Sequence, residues 1–302
     1  MPRGFVSDIF QTLTRCTRVR EQLVRFAFKT ANQSTTWPDV IEVWRAADQI
    51  EIFESGWNFD HFYPIDGNAG GPCLEGWTML AALAQATSRL RMGTMVTGIH
   101  YRHPAVLANM IATLDIISSG RLEVGIGAGW NQDESGAYGI ELGTPRERSD
   151  RFEEACEVLV GLLSEPTFSF QGRYYQLTGA LNEPKGPQRP HPPICIGGGG
   201  EKRTLRTAAR FAQHWNYAGG TPEEFARKRD VLHARCADIG RDPSEITMSS
   251  HVKFDPAAGA SATAEEAAAL GEVGLDLAVV YLRPPLTPAV LDPLAAALAQ
   301  ID

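Results

Sequence analysis

This chain of 302 residues lacks most of the features that place a protein quickly. It has no apolar run of the roughly 20 residues that a bilayer-spanning helix needs. It has no excess of basic residues: 28 Lys and Arg stand against 36 Asp and Glu, a net charge of −8. That balance argues against a general binder of nucleic acid or of an anionic membrane. Its five cysteines (Cys16, Cys73, Cys156, Cys195, Cys236) are odd in number and form no CxxC. They read as reduced thiols of a cytoplasmic protein, not as a disulfide frame or a zinc site. No G-x-S-x-G nucleophile elbow occurs, and no HExxH, so neither serine hydrolysis nor a bound metal is indicated. What is present is a globular composition, 43% hydrophobic and 21% charged, at a length suited to one large α/β domain or two ordinary ones.

The first 23 residues differ from the rest. They carry Arg3, Arg15, Arg18 and Arg20, no clear strand, and no continuous apolar core of a secretory signal. They read as an extension outside the fold, with 24–302 forming a single domain. From residue 24 onward, strand and helix patterns alternate. Strands are predicted at 24–28, 52–57, 91–98, 122–127, 194–197, 215–218, 246–253 and 275–281. Helices are predicted after Thr36, at 75–87, 104–118, 148–164 and 201–212, from Thr221 to Gly240, and at 262–270 and 288–301. Between the fourth helix and fifth strand lies an insertion: a hairpin at 167–177 turning at Gln171-Gly172, then a proline-rich linker at 184–193. Eight strands alternating with eight helices predict an α/β fold, a closed (β/α)8 TIM barrel. A doubly wound open sheet is the alternative, because alternation does not say whether the sheet closes.

The chemistry gathers where predicted strands end, the position at which barrel strands present ligands. The fourth strand ends in Gly125, Gly127 and Gly129, followed by Trp130. This G-x-G-x-G is not a dinucleotide fingerprint, which needs G-x-G-x-x-G opening a helix. Bare backbone there suits a ligand ring lying against the strand end, or merely a tight turn. Gly197, Gly198, Gly199 and Gly200 precede the fifth helix, an arrangement that lets amide groups converge on a phosphate. Lys202, Arg203 and Arg206 fall on the first turns of that helix, where cations oppose the dipole, so an anionic ligand is expected. Asp60-His61 follows the second strand, a carboxylate beside an imidazole suited to proton transfer near neutral pH. His100 and His103 follow the third strand at the same end. Cys195 lies within the fifth strand, as a small buried residue would.

Six segments in order resemble the luciferase-like monooxygenase family, in particular its oxidoreductases that use the deazaflavin coenzyme F420. They are DHF at 60–62, GPCLEGWTMLAALAQATSRLRMGTMVTG at 71–98, YRHPAVLA at 101–108, GRLEVGIGAGWN at 120–131, AYGI at 137–140 and ICIGGGG at 194–200. The resemblance implies a (β/α)8 barrel with the cofactor ring at the C-terminal ends of the strands. It implies a backbone bulge behind the ring, usually with a non-prolyl cis peptide, falling at Met95-Val96. It also implies ring and tail contacts at Ala128 and Gly129, a phosphate cradle at Gly197–Gly200, and Asp60 at the ring's polar edge. His61 would be the catalytic proton donor or acceptor, with Asp60 tuning it. Lys202, Arg203 and Arg206 could receive the polyanionic tail. Trp57, Trp77, Trp130 and Tyr138 are candidate walls, and the segments 63–74 and 165–192 candidate substrate loops. The implied reaction is hydride transfer between F420 and a small organic substrate; the alternative is an FMN-dependent monooxygenase using reduced flavin and oxygen. Trp130 stands where sugar-phosphate dehydrogenases of this branch carry an acid, which speaks against glucose-6-phosphate. A homodimer is left open, and no nucleic-acid, membrane or metal partner is expected.

Overall fold

β1 (Arg25–Thr30) alternates: Phe26 and Phe28 face the surrounding helices, while Ala27 joins an inner cluster with Trp57, Met95, Cys195, Leu277 and Val279. The same alternation along every strand produces two cores, one inside the sheet and one between sheet and helices. The computed structural model describes residues 24–301, so the Arg-rich segment 1–23 lies outside the described residues.

The elements that follow are α1 (Trp37–Ala47), β2 (Phe53–Asn58), α2 (Gly76–Ala86), β3 (Arg91–Thr94), β4 (Thr97–Gly98) and α3 (Pro104–Ile117). Next come β5 (Leu122–Gly127), α4 (Gln132–Ala137), α5 (Pro145–Ser164), β6 (Phe168–Gln171), β7 (Gln176–Ala180), β8 (Ile194–Gly197) and α6 (Thr204–Phe211). β9 (His214–Tyr217), α7 (Pro222–Asp238), β10 (Thr247–Lys253), α8 (Ala260–Glu272), β11 (Leu277–Leu282) and α9 (Leu291–Leu298) complete the chain. The parallel sheet runs β3-β2-β1-β11-β10-β9-β8-β5-β4, and β5 pairs with both β3 and β4, which closes it. β3 and β4 are two pieces of one stave, so the sheet is an eight-stave TIM barrel and the open-sheet alternative is excluded.

Local chemistry accounts for many boundaries. Thr36 and Thr221 cap α1 and α7, and each helix has Pro in its first turn. A capping box between Thr144 and Glu147 starts α5 at Pro145, earlier than the predicted 148. The third stave is broken at Met95-Val96, whose peptide is cis, as the family resemblance implies. Three further differences have physical causes. A short helix not expected from the sequence, α4, is capped by Asn131, whose side chain accepts from the Glu134 N–H. α6 begins at Thr204, not 201, because residues 201–203 form a turn. The hairpin pairs Gln171 with Gln176, so its loop is 172–175, and Glu154 of α5 holds it by accepting from the N–H groups of Arg173, Tyr174 and Tyr175 at 2.8, 2.8 and 3.2 Å.

Two polar clusters brace the barrel away from its C-terminal rim. Asp48, at the end of α1, accepts from the N–H groups of Ser88, Arg89 and Leu90 at 2.8, 2.9 and 2.9 Å and from the Ser88 hydroxyl at 2.9 Å. The Arg89 guanidinium answers by donating to the carbonyls of Ala47, Asp48, Ile50 and Phe53. At the N-terminal end of the staves, His214 Nδ1 meets Glu123 Oε2 at 3.2 Å and Nε2 meets Ser249 Oγ at 2.6 Å. Burial works against charge on His214, but neighbouring Cys195 and the Glu123 carboxylate lift its pKa to about 10. A raised folded-state pKa contributes stability that is complete below the unfolded value near 6.5 and lost as pH rises through about 10. The thermal midpoint should therefore fall between pH 7 and pH 10, as read by a calorimetric pH series. In His214→Gln that part of the fall should vanish; an equal fall in both proteins would rule the imidazole out as its cause.

Candidate active site

The C-terminal ends of the staves surround a cavity of about 420 Å³, within the range of small-molecule sites. Of the residues expected at the site, Asp60, His61, Met95, Val96, Gly129, Trp130, Gly197 and Gly198 line it. Val96 is seated between two bare strand ends, since a Cβ on Gly127 or Gly197 would lie 2.9 Å from its methyl groups. Gly129 adopts φ +84°, and a side chain there would run into His100. Ala128, Gly199 and Gly200 flank the cavity in sequence without lining it.

His61 has a different partner from the one expected. His61 Nδ1 lies 2.8 Å from Glu134 Oε2 of α4, and the Phe62 N–H donates to Glu134 Oε1 at 2.6 Å. The Tyr101 hydroxyl donates to the same carboxylate. Glu134 is fully buried; burial opposes its charge, but these donors hold its carboxyl below the ordinary range. The Tyr101 hydroxyl is pushed above its ordinary value by burial and then by Glu134. The Glu134 carboxylate at Nδ1 favours the tautomer in which Nδ1 is the donor. Asp60, expected to tune His61, is instead held in a two-pronged ion pair by Arg102, which also reaches Glu75 at 2.7 Å. Burial raises the Asp60 carboxyl above its ordinary range against the pull of Arg102.

The expected walls divide. Trp57 and Trp77 are buried core, with indole N–H groups donating to Ser55 and Thr97. Trp130 is 61% exposed and meets His61 edge-on at 5.6 Å. Tyr138 stays outside the cavity, packed on Phe62. The 63–74 loop contributes Ile65 and Asp66, whereas no residue of 165–192 lines the cavity. That hairpin packs on α5 instead, with Phe168 against Gly161.

The glycine run before α6 takes a clear form. The amide groups of Gly199, Gly200, Glu201 and Lys202 donate to no acceptor among the described residues. Gly198 has φ +122° and donates to the Asn216 carbonyl, which turns the chain toward α6. The cations beside it are mostly answered within the protein. Arg203 pairs with Asp150, Arg206 pairs with Glu153 at 2.9 Å, and both acids lie on α5. The inference that cations at this helix start require an anionic ligand therefore fails for Arg203 and Arg206 and stands only for exposed Lys202.

The sequence reading missed Glu134, Tyr101, Arg102, Lys29, His251 and Tyr281 as site residues. Asn131 followed by acids at 133 and 134 was the available signal for α4, a capping residue with acids in the first turn. Among the described residues no group of three His, Cys, Asp or Glu is arranged to hold a metal ion, and no helix is long and apolar enough to cross a membrane.

A sequence profile described as luciferase-like monooxygenase matches residues 23–283, most of the barrel. The chain belongs to the luciferase-like monooxygenase family. Within reach of this family member is the phthiodiolone/phenolphthiodiolone dimycocerosates ketoreductase of Mycobacterium tuberculosis strain H37Rv, 34% identical over 187 residues, 61% of this chain and 46% of that protein. The chain spans about half the length of the curated relatives it matches. Among solved structures, an F420-dependent secondary alcohol dehydrogenase in complex with an F420-acetone adduct superposes with TM-score 0.82 at 19% identity, covering 92% of this chain and 99% of that one. The long-chain alkane monooxygenase LadA superposes with TM-score 0.76 at 14% identity, covering 92% and 91%. Likeness at these identities shows the fold of the family and no more. F420-dependent enzymes and a riboflavin lyase with modified FMN share the barrel, so the neighbours carry a deazaflavin or a flavin.

Proposed function

We propose that the protein is a coenzyme-F420-dependent oxidoreductase that transfers hydride between the deazaflavin and a small organic substrate. The observation that carries this reading is the buried His61–Glu134 pair on the cavity that also holds Val96 and the glycine ends of β5 and β8. Alcohol–carbonyl interconversion needs a proton moved at oxygen when hydride moves at carbon, and a histidine locked at Nδ1 provides it. The alcohol dehydrogenase and ketoreductase among the relatives act on that functional group, which supports the same choice over oxygen insertion.

The residues present fit such a cofactor. Unpaired amides from Gly199 to Lys202 would hold its phosphate, and Lys202 would meet the first charge of its tail. Val96, backed by the bare ends of β5 and β8, would support one face of the ring, and Gly129 would allow close approach at its edge. When bound, the deazaflavin supplies or accepts hydride; the protein supplies orientation and a dry cavity. His61 holds or releases the proton at Nε2, Glu134 stabilises the imidazolium so formed, and Tyr101 and the Phe62 N–H keep Glu134 in place. Trp130, edge-on to His61, forms part of the cavity wall beside it.

Titrating the purified protein separately with F420 and with FMN tests the reading. Saturable F420 binding at micromolar concentration, at least tenfold tighter than FMN, is the expected result. Tight FMN binding with no F420 binding overturns it in favour of an FMN-dependent monooxygenase.

A further inference from the structure

The wall built by β1, β10 and β11 holds a side chain that hydride transfer does not use. Lys29 is the inward residue at the upper end of β1, in register with Tyr281 of β11 and Trp57 of β2. It is only 6% exposed, yet it lines the cavity. Its Nζ makes one hydrogen bond among the described residues, to the Met95 carbonyl at 2.9 Å. An ammonium carries three donors, so two remain. The Tyr281 and Phe59 rings lie 5.1 and 5.6 Å from Nζ, and Arg283 covers Tyr281 at 5.2 Å. Among the described residues no carboxylate answers Lys29 by a hydrogen bond. Asp60 is taken by Arg102, Glu134 by His61 and Tyr101, and Asp66 on the exposed loop acts only through space. Burial lowers the Lys29 pKa to about 7, with Asp66 pulling weakly the other way. A buried amine with spare donors, flat rings beside it and no counter-ion is an unfinished ion pair.

We propose that Lys29 is the recognition group for a carboxylate, so that the substrate is an organic acid with an apolar body. The carboxylate accepts the two spare N–H groups and provides the missing counter-charge. The apolar body lies against Tyr281 and Phe59, and Arg283 at the rim draws the anion in. The word substrate rests on the oxidoreductase reading; the carboxylate site itself does not.

Benzoate is a suitable probe, with benzyl alcohol as its neutral counterpart, titrated by calorimetry from pH 6 to 9. Of the groups facing Lys29, His251 is held neutral by burial and by Lys29 itself, Tyr281 is pushed up to about 12, Arg283 stacks on Tyr281, and Asp66 lies on the exposed loop. His61 with its Glu134 partner faces the same cavity from β2. Benzoate affinity should weaken about tenfold per pH unit above pH 7 as Lys29 loses its proton, and benzyl alcohol affinity should stay level. Lys29→Met keeps the apolar stem and should weaken benzoate at least tenfold with benzyl alcohol unchanged. Lys29→Arg should restore binding and remove the pH dependence between 7 and 9. Benzoate affinity that ignores both pH and Lys29→Met overturns the proposal. The titration is then repeated with saturating F420. Simultaneous binding places the carboxylate beside the cofactor, whereas mutual exclusion assigns Lys29 to the ring and also overturns it. A protein that takes no F420 defeats the oxidoreductase reading alone, because the cofactor-free titration still decides the carboxylate site.

Discussion

His61→Asn should lower kcat by about 100- to 1,000-fold while leaving F420 affinity within about twofold, because a positioned general acid–base contributes on that scale. The substitution keeps a polar side chain of similar reach but removes the titrating nitrogen, so the loss should fall on chemistry and not on KM. The supporting residue makes the prediction sharper. Glu134 accepts from His61, from the Phe62 N–H and from the Tyr101 hydroxyl, three donors on two oxygens. Glu134→Gln replaces one of those oxygens with an NH2 group that must face a donor. It should cost about 10- to 100-fold in kcat, since the carboxylate no longer positions the imidazole. Tyr101→Phe leaves the carboxylate intact and should have the smallest effect of the three. Stopped and steady-state kinetics over a pH series read all of this. A Glu134→Gln enzyme with the wild-type profile would remove the pair from the mechanism.

Asp48→Ala should destabilise the barrel by about 3 kcal/mol or more, the scale on which losing hydrogen bonds to a charged group is felt. Its carboxylate holds three consecutive N–H groups where the chain turns from α2 into β3, and these donors have no other acceptor. Burial raises its pKa, but the backbone donors outweigh burial and the folded-state value is depressed. A depressed carboxylate contributes stability that is present above the unfolded pKa and lost as pH falls through the folded one. The gap between wild type and Asp48→Asn should therefore be widest at neutral pH and shrink in acid. Urea unfolding at pH 7 and pH 3 checks both statements, and a loss below about 1 kcal/mol at pH 7 would mean that water replaces the carboxylate.

The frame of this fold was legible because it is written locally. Thr36, Thr221 and the apolar faces of α1 and α3 signal helix starts and buried sides within a few residues. Alternating strand and helix patterns gave the barrel its count. What was not legible depends on neighbours distant in sequence. Asp60 and His61 are adjacent, so proximity suggested partnership, yet adjacent side chains on an extended segment point apart. Their true partners arrive from the loop after β4 and from α4. Lys29 lies one residue past the first strand that the sequence pattern predicts, 24–28, although one more step of the alternation puts it inside the barrel. The cations near α6 were read against the helix dipole alone, and the acids that answer them sit 53 residues earlier on α5. The break in the third stave came from family resemblance and not from periodicity, which shows one continuous β-prone run.

Trp130 gives the protein an optical gauge of its own chemistry. Of the six tryptophans, Trp44, Trp57, Trp77 and Trp215 are buried and Trp37 half-buried, while Trp130 stands exposed at the cavity mouth. Its ring meets His61 edge-on at 5.6 Å, so a ligand that enters the cavity beside His61 reaches the indole most open to solvent among the described residues. Emission from the red edge of the tryptophan band should then report occupancy of the cavity, before any substrate is known.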